Sequence, residues 1–229
     1  MGKTHAAYFS LQFKSSSEIS RKFRQYINYQ FATRGSRVMN PDFLTAFNKV
    51  LFNEGFISNN HYDKGGFTYK GISRIKHPSW SGWKIIDSHV ETGYIPSLIN
   101  DKTLQNLVIE FYRTEFWNKI QGDLLSTQLI ADELFDSSIN LGVPAASEIL
   151  QRTINLLNRN TLLYPDISVD EIIGSQTLSA LNKCIATNSE KLVFNLFKFY
   201  QAKRYIEIME RDRSQEIFIG WFNRIEVLK

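Results

Sequence analysis

A chain of 229 residues with 43% hydrophobic residues can bury a core of ordinary size, which excludes a wholly disordered polypeptide. A single cysteine, Cys184, excludes an internal disulfide framework, and the four histidines (His5, His61, His77, His89) form no HExxH or HxH pair, so neither a metal nor an organic cofactor is expected. The formal charge of +4 is unevenly spread: residues 1–38 carry seven bases against one acid, net +6, which leaves 20 bases against 22 acids, net −2, for the rest.

The basic segment 1–38 has three readings. Ser15 and Glu18 form a capping-box pattern, and Ile19, Phe23, Tyr26 and Ile27 share a helix face, which suits an anionic membrane surface or wall polymer. A nucleic-acid contact is the second, but no recognised motif accompanies the charge, and no nucleic-acid partner is expected. The third, favoured by the clean onset of the main domain, makes Met39 the true start and 1–38 upstream sequence. The segment also lacks the apolar core of a signal peptide, and no run of about 18 apolar residues occurs anywhere, so stable membrane insertion is not expected.

Asn40-Pro41 reads as an N-cap with proline at the first helical position. Phe43, Leu44, Phe47, Val50 and Leu51 then share one helix face, and Gly55 suits the stop, which places Glu54 in the last turn. Residues 55–75, punctuated by Asn59, Asn60, Gly65, Gly66 and Gly71, read as a small hairpin. Residues 76–100 read as a loop with one short helix. From 101 onward the pattern is helical. A second long helix holds Leu104 to Phe116. A third runs from Ile130 to a stop near Gly142, and Pro144 opens a fourth. A short helix around Leu178 follows Pro165, then a long one from Leu192, and a last helix carries Ile217, Phe218, Trp221, Phe222 and Ile225. The expected division is 1–38, a basic extension; 39–125, a catalytic part; and 126–229, a helical C-terminal part packed on it.

A carboxylate at a helix C-terminus faces the negative end of the helix dipole, and Phe52 and Phe56 flank Glu54 in sequence; both effects push its pKa upward. A glycosidase general acid needs that shift, because it must hold a proton near neutral pH and deliver it to the leaving oxygen. The bland alternative is a solvated glutamate in a final helical turn. Nine residues on come Asp63, then Gly65-Gly66, which let backbone approach a bulky polymer, then Thr68. Asp63 as the cap of the turn before Gly65, and Thr68 as a plain strand residue, remain open readings.

Asn53-Glu54-Gly55-Phe56 followed by Asp63-Lys64-Gly65-Gly66-Phe67-Thr68-Tyr69-Lys70-Gly71-Ile72 resembles the signature of glycoside hydrolase family 108: bacterial and phage N-acetylmuramidases, some called secretion activator proteins. Tyr112-Arg113, Phe116-Trp117, Gly122-Asp123, Ala131-Asp132, Phe135-Asp136 through Asn140 to Gly142, and Leu150-Gln151 follow in the family's order. From Ile172-Ile173-Gly174 to Gly220-Trp221-Phe222-Asn223-Arg224 the chain is similar to the peptidoglycan-binding segment that accompanies these enzymes. The resemblance covers about residues 40–227. Phe56 departs from a usual glycine, and His61-Tyr62 from a pair such as Ala-Asp; the glutamate position is intact.

The resemblance implies a mainly α, lysozyme-like helical domain with a small β-hairpin next to the active site. It implies cleavage of the β-1,4 bond between N-acetylmuramic acid and N-acetylglucosamine, with Glu54 as general acid. Similarity to phage-type inverting lysozymes adds Asp63 and Thr68 as catalytic residues, the first positioning water or stabilising the oxocarbenium, the second holding the water. Expected substrate-binding positions are Gly65, Gly66, Tyr69, Trp80, Trp83, Asp136 and Asn140. Trp80 and Trp83 fall in the loop region, and Asp136 and Asn140 share a helix face, where they line a groove or satisfy backbone groups. Trp117 is read as core. The partners are peptidoglycan glycan strands, the chain is expected to be a monomer, and it reaches the wall by export or lysis. A lytic transglycosylase and a non-catalytic wall-binding or secretion accessory protein are the alternatives.

Because the apolar face from Phe43 to Leu51 needs nothing from the basic segment, deletion of residues 1–38 is expected to leave one cooperative thermal transition. A deleted chain that is insoluble, or melts without cooperativity, would make Ile19, Phe23, Tyr26 and Ile27 part of the core.

Overall fold

The computed structural model describes residues 41–53, 57–58, 67–91, 98 and 100–228. Asn40, Glu54, Gly55, Phe56, His61, Tyr62, Asp63, Gly65 and Gly66 lie outside these, as does segment 1–38. The fold is mainly α with a small antiparallel sheet, a lysozyme-like helical architecture. Contacts divide it into two compact units, one built on Val50–Ile109, the other on the segment ending at Lys49 together with Glu110 onward.

The first helix, α1 (Phe43–Asn53), starts two residues later than the Asn40-Pro41 pattern suggests. Asp42 is the cap: its carboxylate accepts the Thr45 N–H at 2.9 Å, and its carbonyl accepts the Ala46 N–H at 3.2 Å. An aspartate at this position reaches the third helical amide, and it is clamped besides. The Gln128 amide accepts the Asp42 N–H at 2.6 Å and donates to the Asp42 carbonyl at 3.2 Å.

In the unit built on Val50–Ile109, strands β1 (Ile57–Ser58), β2 (Thr68–Tyr69) and β3 (Ile72–Ser73) pair antiparallel in that order, with Thr68 opposite Ser58 on one side and Ser73 on the other. The expected hairpin is therefore the β2–β3 half of a three-stranded meander. Its two turn residues, Lys70 (φ 46°) and Gly71 (φ 79°), are both left-handed, as a tight right-twisted hairpin requires. Helix α2 (Gly82–Glu91) follows and buries Trp83 and Ile86. Helix α3 (Lys102–Tyr112) is capped by Asp101, whose carboxylate accepts the Leu104 N–H at 2.9 Å.

The other unit is organised by rings. A π-helical turn over Arg113–Trp117 continues from α3, and Trp117 is fully buried against Phe43 and Phe135, both at 5.6 Å between ring centroids. The Trp117 indole donates to Asp123 at 2.8 Å, and Arg113 holds the other oxygen of that carboxylate at 2.9 Å. Gly122 is required by close approach, since a Cβ there would meet the Trp117 ring at 2.3 Å. This packing ties the stretch after Glu110 to the helices that follow, so the units do not divide at residue 125.

Helix α4 (Gln128–Leu141) is capped by Thr127 and ends at Gly142 (φ 90°); Pro144 sits in the first turn of α5 (Val143–Leu157). Helices α6 (Ser175–Asn188) and α7 (Glu190–Arg211) complete a set in which α4, α5 and α7 pack on one another and α6 on both α5 and α7. The expected last α-helix is instead a 3-10 stretch, Arg213–Arg224, interrupted at Phe218. Trp221 and Phe222 meet the Tyr205 ring, Phe218 stacks on Trp221 within the stretch itself, and Ile217 is 77% exposed, so burial does not enforce a regular helix.

The long connection from α5 to α6 has no regular structure, and one face of α5 holds it. Gln151, at 1% exposure, accepts the Asp170 and Glu171 N–H groups at 3.1 and 3.0 Å and donates towards Asp170 at 2.7 Å and the Ile172 carbonyl at 2.9 Å. Asn155, one turn on, pairs with both backbone groups of Ile167 at 2.8 and 3.0 Å. Asn158 accepts the Thr161 N–H at 2.9 Å and donates to Asp166. A Gln151→Leu chain keeps the volume but removes the amide that holds the Asp170–Ile172 backbone, and is expected to lose about 1–3 kcal/mol, or roughly 2–12 °C in Tm. Glu171, left-handed at φ 65°, gives the opposite sign: Glu171→Gly should raise Tm slightly. Calorimetry on the two variants checks both; an unchanged Tm for Gln151→Leu would contradict the clamp.

Candidate functional site

Thr68 is half-buried on β2, between Ser58 and Ser73 in register. Tyr69, next on the strand, is fully buried, and its hydroxyl accepts from the Gln105 amide at 3.2 Å. Burial raises its pKa to about 12, against the opposing hydrogen bond from Gln105. Gln105 also donates to the Leu98 carbonyl at 2.7 Å and accepts from the Lys70 ammonium at 2.6 Å. Burial pulls the Lys70 pKa well below the ordinary lysine range. Tyr69 is therefore a fixed part of the wall behind Thr68 and offers no open ring face to a sugar.

Trp80 is half-buried, stacked on Tyr69 at 6.4 Å and edge-on to Trp83 at 5.0 Å, and its ring covers Gly82 so closely that a Cβ there would lie 2.3 Å away. Trp83 corrects its expected place: it lies in α2, is 3% exposed, and donates its indole N–H to the His77 carbonyl at 2.7 Å. The Arg74 guanidinium, doubly bonded to Asp87 at 2.8 and 2.6 Å, covers the Trp83 ring at 5.2 Å. Thr68, Tyr69, Trp80 and Trp83 are thus gathered in one unit, with Trp80 the most accessible ring. Gln105 and Lys70 belong to the same assembly and are not legible in advance, since a buried amide–ammonium pair has no sequence pattern. Among the described residues, no group of three or more His, Cys, Asp or Glu side chains is placed to hold a metal.

Asp136 and Asn140 belong to the other unit. Asn140 donates to the Asp136 carbonyl at 3.0 Å and to its carboxylate at 3.2 Å. The carboxylate faces Arg224 at 3.8 Å, beside an ion pair of Glu133 and Lys198 at 2.5 Å that is almost wholly buried. Lys198 also donates to the Arg224 carbonyl at 2.7 Å. The two groups thus satisfy backbone and hold the C-terminal stretch to α4 and α7. Burial raises the Asp136 pKa, opposed by Arg224 and Lys198.

The helical architecture with its small sheet is that of a lysozyme-like fold. Residues 47–142 match the family model Glycosyl hydrolase 108, and residues 145–226 match the model Predicted Peptidoglycan domain. A segment similar to a glycoside hydrolase family is thus followed by one similar to a peptidoglycan domain, which supports a peptidoglycan hydrolase or binding role. Among solved structures, SagA of Brucella abortus is similar at 23% identity over 80% of this chain and 88% of that chain, with a TM-score of 0.55, a likeness of fold. No curated protein matches the sequence. Among the described residues no helix is long and apolar enough to cross a membrane.

The Asp136 shift gives a signed prediction. An acid that holds its proton to higher pH when folded adds stability below its unfolded pKa of 3.8, and that stability is lost as pH rises through the raised value. Wild type should therefore lose stability relative to Asp136→Asn as pH climbs above about 4, as read by denaturant unfolding. A difference that is flat or widens in favour of wild type would contradict the burial of this carboxylate.

Proposed function

We propose that the chain is an N-acetylmuramidase that hydrolyses the β-1,4 bond between N-acetylmuramic acid and N-acetylglucosamine, with Glu54 as general acid. The observation that carries the reading is the match of residues 47–142 to the hydrolase model, which contains Glu54 in the position that resembles the family's glutamate. In sequence Glu54 directly follows α1, a helix whose inward residues Phe43, Ala46, Phe47 and Val50 are all buried.

In the reaction, Glu54 gives its proton to the bridging oxygen as the anomeric carbon–oxygen bond breaks. The sugar ring takes on oxocarbenium character, and water adds at the anomeric carbon while losing a proton. Asp63 orients the water or stabilises the developing positive charge, and Thr68 holds the water by its hydroxyl. Gly65 and Gly66 let the backbone come close to the polymer, and Trp80 is the ring that supports a sugar. The chain acts on the wall as a monomer after export or lysis.

Glu54→Gln preserves size and polarity but has no acidic proton. It is expected to slow clearing of purified cell walls by roughly 10²–10⁴-fold with an unchanged Tm. A mutant that still clears walls at more than about a tenth of the normal rate would overturn the assignment. Asp63→Ala and Thr68→Ala should each lower kcat more than they raise KM; normal kcat with raised KM would return Asp63 to a turn or binding role.

A further inference from the structure

The α5–α6 connection and α6 border an open cleft of about 360 Å³ that lies wholly inside the stretch matching the peptidoglycan domain. Its floor is rigid: Tyr164 is 4% exposed and donates its hydroxyl to the Ile154 carbonyl at 2.8 Å. Its rim is polar and largely unengaged. Asp166 uses one carboxylate oxygen for Asn158 and leaves the other without a partner among the described residues. Ser175, Gln176 and Ser179 present side chains that make no hydrogen bond among the described residues, and Lys183 is exposed and makes no ion pair among them. One anion, one cation and three uncharged donor–acceptor groups therefore line one cleft.

We infer that this cleft binds the peptide stem of the wall polymer rather than its glycan, with Lys183 taking a stem carboxylate and Asp166 a stem amine. The inference rests on the reading of the wall as substrate. A short wall peptide carries amides, free carboxylates and the side-chain amine of its diamino acid, which matches a rim of both charges and amide-binding groups. A glycan is mostly uncharged and is held by exposed ring faces, whereas the one ring lining this cleft, that of Tyr164, is buried. The cleft volume falls in the range of sites for small ligands. The clamps from Gln151, Asn155 and Asn158 hold the cleft's loop side in place before any ligand arrives, which lowers the entropy lost on binding.

The test is calorimetric and NMR titration of the full chain with a synthetic stem tetrapeptide and, separately, with chitotetraose as a peptide-free glycan. Neither readout depends on turnover. The tetrapeptide should bind one-to-one, in a salt-sensitive manner. Lys183→Glu and Ser179→Trp should each weaken it by about tenfold or more, corresponding to at least ~1.4 kcal/mol. Lys183→Arg should retain it, and chitotetraose binding should be unmoved by all three. Both substituted residues are exposed, and the Tm of each variant shows that it folds. No binding of the tetrapeptide, equal binding by Lys183→Glu, or loss of chitotetraose in its place would overturn the proposal. Such a failure leaves the loss of clearing by Glu54→Gln untouched, while retained clearing by that mutant would leave this binding in place, so the two readings fail separately.

Discussion

The start of α1, the stretch after Glu110 and α4 are joined by a ring cluster around Phe43. Phe43 stacks on Phe47 at 5.5 Å and meets Trp117 and Phe135 at 5.6 and 5.8 Å, while Phe47 meets Tyr112 at 5.3 Å. Truncating one such ring costs about 3–5 kcal/mol, a large share of the stability of an ordinary domain. The cluster seats the first half of α1, and the Asp42–Gln128 amide clamp fixes where that helix begins. The proposed general acid, Glu54, directly follows this helix in sequence, and a proton donor that loses orientation loses rate.

Several residues of the family-like motifs are supports, as expected for Trp117. Trp117, Arg113, Gly122 and Asp123 form one device: the ring is buried, the carboxylate takes its indole proton, the guanidinium holds the carboxylate, and the glycine makes room. Asp136 and Asn140 serve the attachment of the C-terminal stretch in the same way. Their spacing on one helix face was visible in the sequence; the partner across the face, Arg224, was not, because it lies far along the chain.

The helices were legible wherever apolar spacing and end signals agree. Gly142 followed by Pro144 marks one helix stopping and the next starting, and both are found there. Legibility failed where tertiary partners decide. Trp83 sits amid turn residues, and only burial under Arg74 places it in a packed helix. The first helix is capped by Asp42 although Asn40-Pro41 presents the familiar pattern, because Gln128 reinforces the former. The C-terminal stretch has helical spacing but too little surface to bury against. The α5–α6 connection looked like a mere break at Pro165; its order comes from Gln151, Asn155 and Asn158, whose role needs a loop to face them. Of the site, the Thr68-Tyr69 strand and the region of Trp80 were readable, and the Lys70–Gln105 pair behind them was not.

The two matched segments support a peptidoglycan hydrolase or binding role, and the proposed cut is the step that chemistry can test. The most direct measurement is mass spectrometry of the soluble fragments released from purified peptidoglycan in water enriched in heavy oxygen. A muramidase with Glu54 as acid leaves fragments ending in a reducing N-acetylmuramic acid whose new anomeric hydroxyl carries the heavy label. Fragments ending in unlabelled 1,6-anhydro-muramic acid, or in a reducing N-acetylglucosamine, would contradict the account.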